Sequence, residues 1–283
     1  MNSEFVRKYP PAMPGGGTPA LWLPFASGRD LVTQNDTLIR GTVGNALPFA
    51  LPDTETLYLG DLHGAACLAY LADEIAVAEA GTSATGLRNL YGVLSDDEYA
   101  VAGLAAHLLH WQTISRFCPK CGGATTETAN AWAKTCTVCA YAPYPVVSPA
   151  VLMLVHDGGN RVLLSHKPGW GERWSILAGF VEPGETMDQC VERETFEEVG
   201  LRVTGITYRG SQPWAYPHQL MIGFAAQAVD ANAPLIVDET ELDGAQWFDA
   251  NALPTLPGKL SLSRQLLDEW LAGNAGNPNA PGF

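Results

Sequence analysis

The chain has 283 residues, 47% of them apolar, enough for two domains, or one with attachments, around a substantial core. Its formal charge is −14, with only 16 lysines and arginines. That argues against non-specific attachment to DNA, RNA or anionic lipid, which need clustered cations, but not against a small phosphorylated ligand held through metal ions.

In chain order, the opening MNSEFVRKYPPAMPGGG has no apolar stretch behind a basic start and does not read as a secretory signal. Residues 1–30, rich in Pro and Gly, predict an irregular segment. From there to about residue 75, segments such as TLIRGTVGNALPFALP and ETLYLGDLHG predict strands and turns. Residues 95–112 predict a helix, with Ser95 as N-cap and Glu98 completing a capping box. A cysteine-rich segment fills 117–144. Then PAVLMLVHDGGNRVLLSHK predicts two strands joined by a turn at Asp157-Gly-Gly-Asn160. Its apolar run, 150–155, is strand length, far short of the ~20 residues that span a bilayer. An acidic segment follows, then strands near 204–209 and 220–229 and a helix at about 261–273. The final AGNAGNPNAPGF predicts a flexible tail. No repeated sequence is visible. No membrane association and a cytoplasmic location are expected, so the six cysteines need a reading other than disulfides.

Cys118-x2-Cys121 and Cys136-x2-Cys139 are two closely spaced pairs. On tight turns, such pairs can present four thiolates tetrahedrally to Zn²⁺, and the spacing is close to a zinc ribbon. Gly122 and Gly123 let the backbone fold back so that its amides can face sulfur. The ribbon carries only Lys120 and Lys134, a poor footprint for nucleic acid, so it is read as a structural staple. Cys67 and Cys190 lack a CxxC partner and are read as ordinary buried residues.

GFVEPGETMDQCVERETFEEVGL, residues 179–201, holds seven acidic residues and one arginine. Thr186 and Gln189 predict a capping box and Gly200 a C-terminal stop, bounding a helix over about 186–198. At ~100° per residue, Met187, Cys190 and Val191 share a face that continues through Glu194, Glu197 and Glu198. Carboxylates on an apolar face repel one another unless cations sit among them, and hard divalent cations prefer carboxylate oxygen. Arg193 can pair with Glu197 one turn on, or with Glu185 upstream.

Gly179-x5-Glu185-x7-Arg193-Glu194-Thr195-x-Glu197-Glu198-x-Gly200-Leu201 resembles the Nudix box, GX5EX7REUXEEXGU with U aliphatic. Thr195 is the one departure. The resemblance implies a loop–helix–loop in an α/β/α sandwich that binds Mg²⁺ or Mn²⁺ for attack of water on a diphosphate. Downstream, Ser211-Gln212-Pro213-Trp214-Ala215-Tyr216-Pro217-His218-Gln219-Leu220-Met221 is similar to the SQPWPFPxSLM motif of NADH pyrophosphatases, with Ala215, Tyr216 and Gln219 departing from it. Prolines 213 and 217 stiffen this loop, Trp214 and Tyr216 offer flat faces to a base, and Gln212 offers an amide. With the ribbon, the motif points to that branch.

By the same resemblance Tyr144, Gln212 to Gln219 and Ser263 line the substrate pocket. Glu194, Glu198, Glu241 and the Ala178 carbonyl hold the catalytic cations. Glu197 is assigned to metal binding or to orienting water, and Arg193 with Glu185 to fixing the carboxylates; Glu239 is the nearest rival to Glu241. The implied substrate is NAD(H), or the NAD cap of an RNA 5′ end, and the implied assembly a homodimer. The alternatives are another nucleoside diphosphate derivative, such as ADP-ribose or a dinucleoside polyphosphate, or a nucleic-acid-binding ribbon with an inactive Nudix fold. The expected class is α+β: an N-terminal α/β domain over 1–115, the zinc ribbon over 116–144, a C-terminal Nudix sandwich over 145–273, and the tail over 274–283.

Overall fold

In the computed structural model of the chain, PALWLPFA (19–26) becomes a strand buried along all but its first residue, inside the segment expected to be irregular. Pro24 falls between Pro19–Trp22, which pair with residues 39–42, and Phe25–Ala26, which pair with Leu31 and Asp30, a position where a strand can do without a donor. The structure describes residues 4–8, 12–44, 56–72, 82–129 and 131–274. The chain divides into two units, Met1–Val146 with Ala215–His218, and Val147–Trp214 with Gln219–Phe283.

The first unit contains β1 (Phe5–Arg7), β2 (Pro19–Ala26), β3 (Asp30–Gln34), β4 (Ile39–Thr42), β5 (Leu57–Leu62), β6 (Ala65–Ala72) and β7 (Thr82–Gly86). Their order is β1-β5-β6-β2-β3-β7, with β4 also on β2; β2 and β6 run parallel. Alternate residues of β2 serve two cores, as a pleated strand must. Leu21, Leu23 and Phe25 pack with helix α1 (Asp96–Ile114), while Ala20 and Trp22 join Leu68 and Tyr70 on the other face. Ser95 caps α1 in the expected box: its Oγ accepts from the Glu98 amide, and its own amide donates to Glu98 Oε2. The ribbon hairpin, β8 (Thr125–Glu127) and β9 (Lys134–Cys136), follows.

The second unit contains β10 (Ser148–His156), β11 (Arg161–His166), β12 (Leu177–Phe180), β13 (Val203–Trp214), β14 (Gln219–Ala228) and β15 (Gly244–Asp249). Its order is β13-β14-β10-β11-β15, with β12 also on β10; β10 and β14 run parallel. Helices α2 (Met187–Val199) and α3 (Leu262–Asn274) complete it. Val151, Met153 and Val155 of β10 pack with Cys190, Val191 and Val199 of α2. Leu152 and Leu154 pack on the other face with Leu262, Leu266 and Trp270 of α3. Each such side chain contributes about 1.5–3 kcal/mol by burial, which ties both helices to one sheet. Of the expected tail, Asn274 ends α3 and residues 275–283 lie outside the described residues.

The two units share one strand scheme. Strands β2 to β7 and helix α1 follow the same connectivity as β10 to β15 and α3. In both, the first strand pairs with the second and third antiparallel and with the fifth parallel. The sequence shows no such repeat, because strand pairing is preserved by any apolar residues of fitting size. The units differ between β4 and β5 in the first and β12 and β13 in the second. In the second unit residues 181–202 carry α2; in the first the connection is residues 43–56, shorter than the 179–201 segment, with 45–55 outside the described residues.

Candidate active site

Helix α2 is fixed at both ends by its sequence. Thr186 Oγ1 accepts from the Gln189 amide, and the Thr186 amide donates to Gln189 Oε1 at 2.8 Å. Gly200 closes the helix in the left-handed region, φ 74°, its amide donating to Phe196 O. The buried face comprises Cys190, Val191, Thr195, Glu198 and Val199. Thr195, the departure from the box, is fully buried, and its hydroxyl donates to Met153 Sδ.

The acidic side chains separate into three environments. Glu198 is 2% exposed. One of its oxygens accepts from Lys167 Nζ at 3.1 Å; among the described residues the other, Oε2, is buried and accepts no hydrogen bond. Burial pushes the Glu198 carboxyl up to about 7, against the pull of Lys167 and with Glu194 and Glu241 adding to the rise. Glu194 is mostly buried, and its carboxyl is likewise raised by burial. Glu197 was expected on the inward face; instead its side chain is 57% exposed. It stands about 100° round the helix from Glu198, at the edge of the buried face.

Arg193 joins these groups. Its Nε and Nη2 donate to both oxygens of Glu185, at 2.9 and 2.6 Å, and its Nη1 donates to Glu194 Oε1 and Glu197 Oε2. Nη2 also donates to the Phe180 carbonyl on β12. Both pairings open in the sequence are made at once. The fork holds Glu185 down at about 2, first through the Arg193 hydrogen bonds. Gly179, beside it on β12, has a physical reason to lack a side chain: a Cβ there would lie 1.9 Å from Glu194 Cδ. Ala178 precedes it in the same strand, paired with Leu152.

Glu241 reaches this cluster through the loop after β14. The amides of Ile236 and Asp238 donate to the Val199 and Glu198 carbonyls, satisfying the end of α2. Asp238 Oδ1 then accepts from Thr240, turning the chain so that Glu241 Oε2 lies 4.0 Å from Lys167 Nζ. Lys167 was missed by sequence reasoning. It is a lone lysine after an apolar strand, and its carboxylate partners come from distant segments.

Other assignments are redistributed. Gln212 donates from Nε2 to Leu260 O and accepts at Oε1 from the Leu262 amide, both at 2.8 Å, so its amide clamps the start of α3 to β13. Ser263 is buried, its hydroxyl 2.9 Å from that of Ser261. Tyr216 packs against the core of the first unit, its hydroxyl 2.7 Å from that of Tyr99 and its ring under the Arg88 guanidinium at 4.3 Å. Its hydroxyl and one face of its ring are thus held by residues of the first unit. Ala215 lies against Gly103, and His218 against the rings of His107 and His110. These tip residues belong with the first unit, as does Tyr144, which is exposed. Pro213, Trp214 and Gln219 stay on the strands of the second unit, Trp214 and Gln219 partly buried.

The four cysteines converge. Their sulfurs all lie within 4.8 Å of one another, and among the described residues this is the group close enough to enclose an ion as it stands. Cys118 and Cys139 are 3.7 Å apart, and Cys121 and Cys136 3.5 Å. A tetrahedron with Zn–S bonds of ~2.3 Å has edges of about 3.8 Å, so the set fits zinc. The amides of Lys120, Val138 and Cys139 point at sulfur. Gly123 packs so closely on Val138 and Cys136 that a Cβ would clash. Lys134, one of the two ribbon lysines, is buried, donating to Gln112 O, which leaves still less cationic surface. Cys67 and Cys190 are both fully buried.

A NUDIX domain model matches residues 147–271, and one described as an NADH pyrophosphatase-like rudimentary NUDIX domain matches residues 19–111. The latter covers strands β2 to β7 and most of helix α1. Curated relatives named NAD-capped RNA hydrolase NudC align over most of the chain. That of Pasteurella multocida is 36% identical over 255 residues, 88% of this chain and 94% of that protein. That of Deinococcus radiodurans is 40% identical over 199 residues, 69% of this chain and 70% of that protein. That of Mycobacterium bovis is 33% identical over 258 residues, 82% and 81%. With an intact acidic box, a rudimentary Nudix unit before it and a four-thiol ribbon, the chain belongs to the Nudix hydrolases, in the family of the proteins named NudC.

Proposed function

We propose that this protein hydrolyses the pyrophosphate bond of NAD(H), giving AMP and a nicotinamide mononucleotide, and that it also removes NAD caps from RNA 5′ ends. The observation that carries the chemistry is Glu198, a buried carboxylate with one oxygen unpartnered, beside Glu194 and near Glu241. A donor set of carboxylates with the Ala178 carbonyl suits a hard divalent cation such as Mg²⁺ or Mn²⁺. Bound there, such cations neutralise phosphate oxygens and lower the pKa of water.

The residues of the chain do the rest. Glu194 and Glu198 present oxygen from the rigid helix α2. Arg193, locked onto Glu185, keeps Glu194 oriented, and Glu197 at the helix edge is available to orient the attacking water. Water adds across the P–O–P bridge; one phosphate keeps the new oxygen and the other leaves with the bridging oxygen. Zn²⁺ at Cys118, Cys121, Cys136 and Cys139 serves as a staple, since four thiolates leave no open position for chemistry. A homodimer and a cytoplasmic location are part of the same proposal. No helix among the described residues is long and apolar enough to cross a membrane.

Product analysis with NADH and Mg²⁺ or Mn²⁺ tests this reading. AMP and reduced nicotinamide mononucleotide are expected. Faster turnover of ADP-ribose or diadenosine polyphosphates than of NADH would overturn the substrate assignment.

A further inference from the structure

Two cations serve the acidic cluster in different ways. Arg193 is committed: a planar fork on both oxygens of Glu185, with further bonds to Glu194, Glu197 and a backbone carbonyl. Lys167 is a single point charge on a flexible stem, with one hydrogen bond to Glu198 at 3.1 Å and Glu241 at 4.0 Å. It stands between Glu198 and Glu241, two of the carboxylates that the functional reading gives to a divalent cation. The Lys167 side chain is 25% exposed, so its ammonium has a path to solvent. Its backbone has independent support. The preceding residue, His166, pairs with Gly244 at the end of β11 and accepts from the Asp243 amide, while the Lys167 carbonyl accepts from Trp170. The ammonium can therefore leave without the strand moving.

We propose that Lys167 is a built-in counter-cation, which holds the carboxylates of the metal-free site together and must be displaced for a divalent cation to bind. The proposal rests on the functional reading above. A buried carboxylate without a counter-charge is costly, so the metal-free chain needs something in this position. A lysine meets that need and can be given up, whereas a bidentate arginine could not be withdrawn without breaking several bonds at once. Lys167 is thus a positioning residue, acting through Glu198 and Glu241.

The test is Mn²⁺ binding by calorimetry at pH 8.5, with thermal melting with and without Mn²⁺, on wild type, Lys167→Met, Lys167→Arg and Glu198→Gln. Lys167→Met is expected to bind Mn²⁺ about tenfold more tightly than wild type, because no resident ion pair has to be broken. Its melting temperature should fall without Mn²⁺ and return to the wild-type value with it. Lys167→Arg should fold normally and bind Mn²⁺ more weakly than wild type, which keeps the test open if the Met variant is poorly folded. Equal or weaker binding by a folded Lys167→Met would overturn the proposal while leaving the functional reading in place. Wild-type binding that survives in Glu198→Gln would overturn the functional reading, and this inference with it.

Discussion

The two units have the same strand connectivity and the same closing helix, yet among the described residues only the second gathers three glutamates around one arginine. The first unit joins β4 to β5 through residues 43–56; the second joins β12 to β13 through residues 181–202, which carry helix α2. On the corresponding face of the first unit lie Ala20, Trp22, Leu68 and Tyr70, with Tyr58, whose hydroxyl donates to Asp61 at 2.7 Å. A shared scaffold therefore says little about chemistry. In the second unit the segment between β12 and β13 carries both helix α2 and the acidic residues.

The two units should separate most widely at Glu198. A Glu198→Gln variant should lose roughly 10³-fold in the rate of NADH hydrolysis, the scale of removing a charged catalytic group, with its melting temperature changed little. Phe25→Ala in the first unit should do the opposite, costing about 3–5 kcal/mol of stability while the rate per folded molecule stays near wild type. Steady-state kinetics and thermal melting read both; a Phe25→Ala enzyme that is folded but inactive would end the division of labour. Gly179→Ala comes next. Its Cβ would fall 1.9 Å from Glu194 Cδ, so the carboxylate must move, and a loss of about 10²-fold in kcat is expected with the fold retained.

Tyr216→Phe should act more gently. It removes one hydrogen bond, to Tyr99, from the tip that carries the substrate motif. A rise of about fivefold in KM with kcat unchanged is expected, and Tyr99→Phe should match it. Unequal effects would point to Tyr216 touching the ligand itself.

The smallest effect is on acid stability. Glu185 is held near 2 in the folded chain against 4.5 for an ordinary glutamate. The unfolded state thus takes up the proton first as pH falls. Its stabilisation is complete above about pH 4.5 and is lost between there and about 2. Acid titration of the melting temperature should be steeper over that window in wild type than in Glu185→Gln; parallel curves would remove the Arg193–Glu185 pair from the account.

Much of the site was legible because it is local. The capping boxes, the Arg193 pairings and the four thiols all lie within short sequence separations, where helix period and turn chemistry dictate contact. The inward placement of Glu197 failed because a helical wheel gives relative angles, not the width of the face that the sheet covers. The contacts of Gln212, Tyr216 and Lys167 were not legible for a different reason. Their partners, at Leu260 and Leu262, Tyr99, and Glu198, are set by strand register and by which elements come together, not by spacing in the chain. The repeated sheet was invisible on the same ground, and β2 was hidden by the Pro and Gly around it.

The most direct test of the central claim is a crystal of the protein grown with Mn²⁺ and measured at the manganese absorption edge. Anomalous density is expected in direct contact with Glu194 and Glu198 on α2. Manganese bound only elsewhere, with those two carboxylates still paired as they are to Arg193 and Lys167, would contradict it.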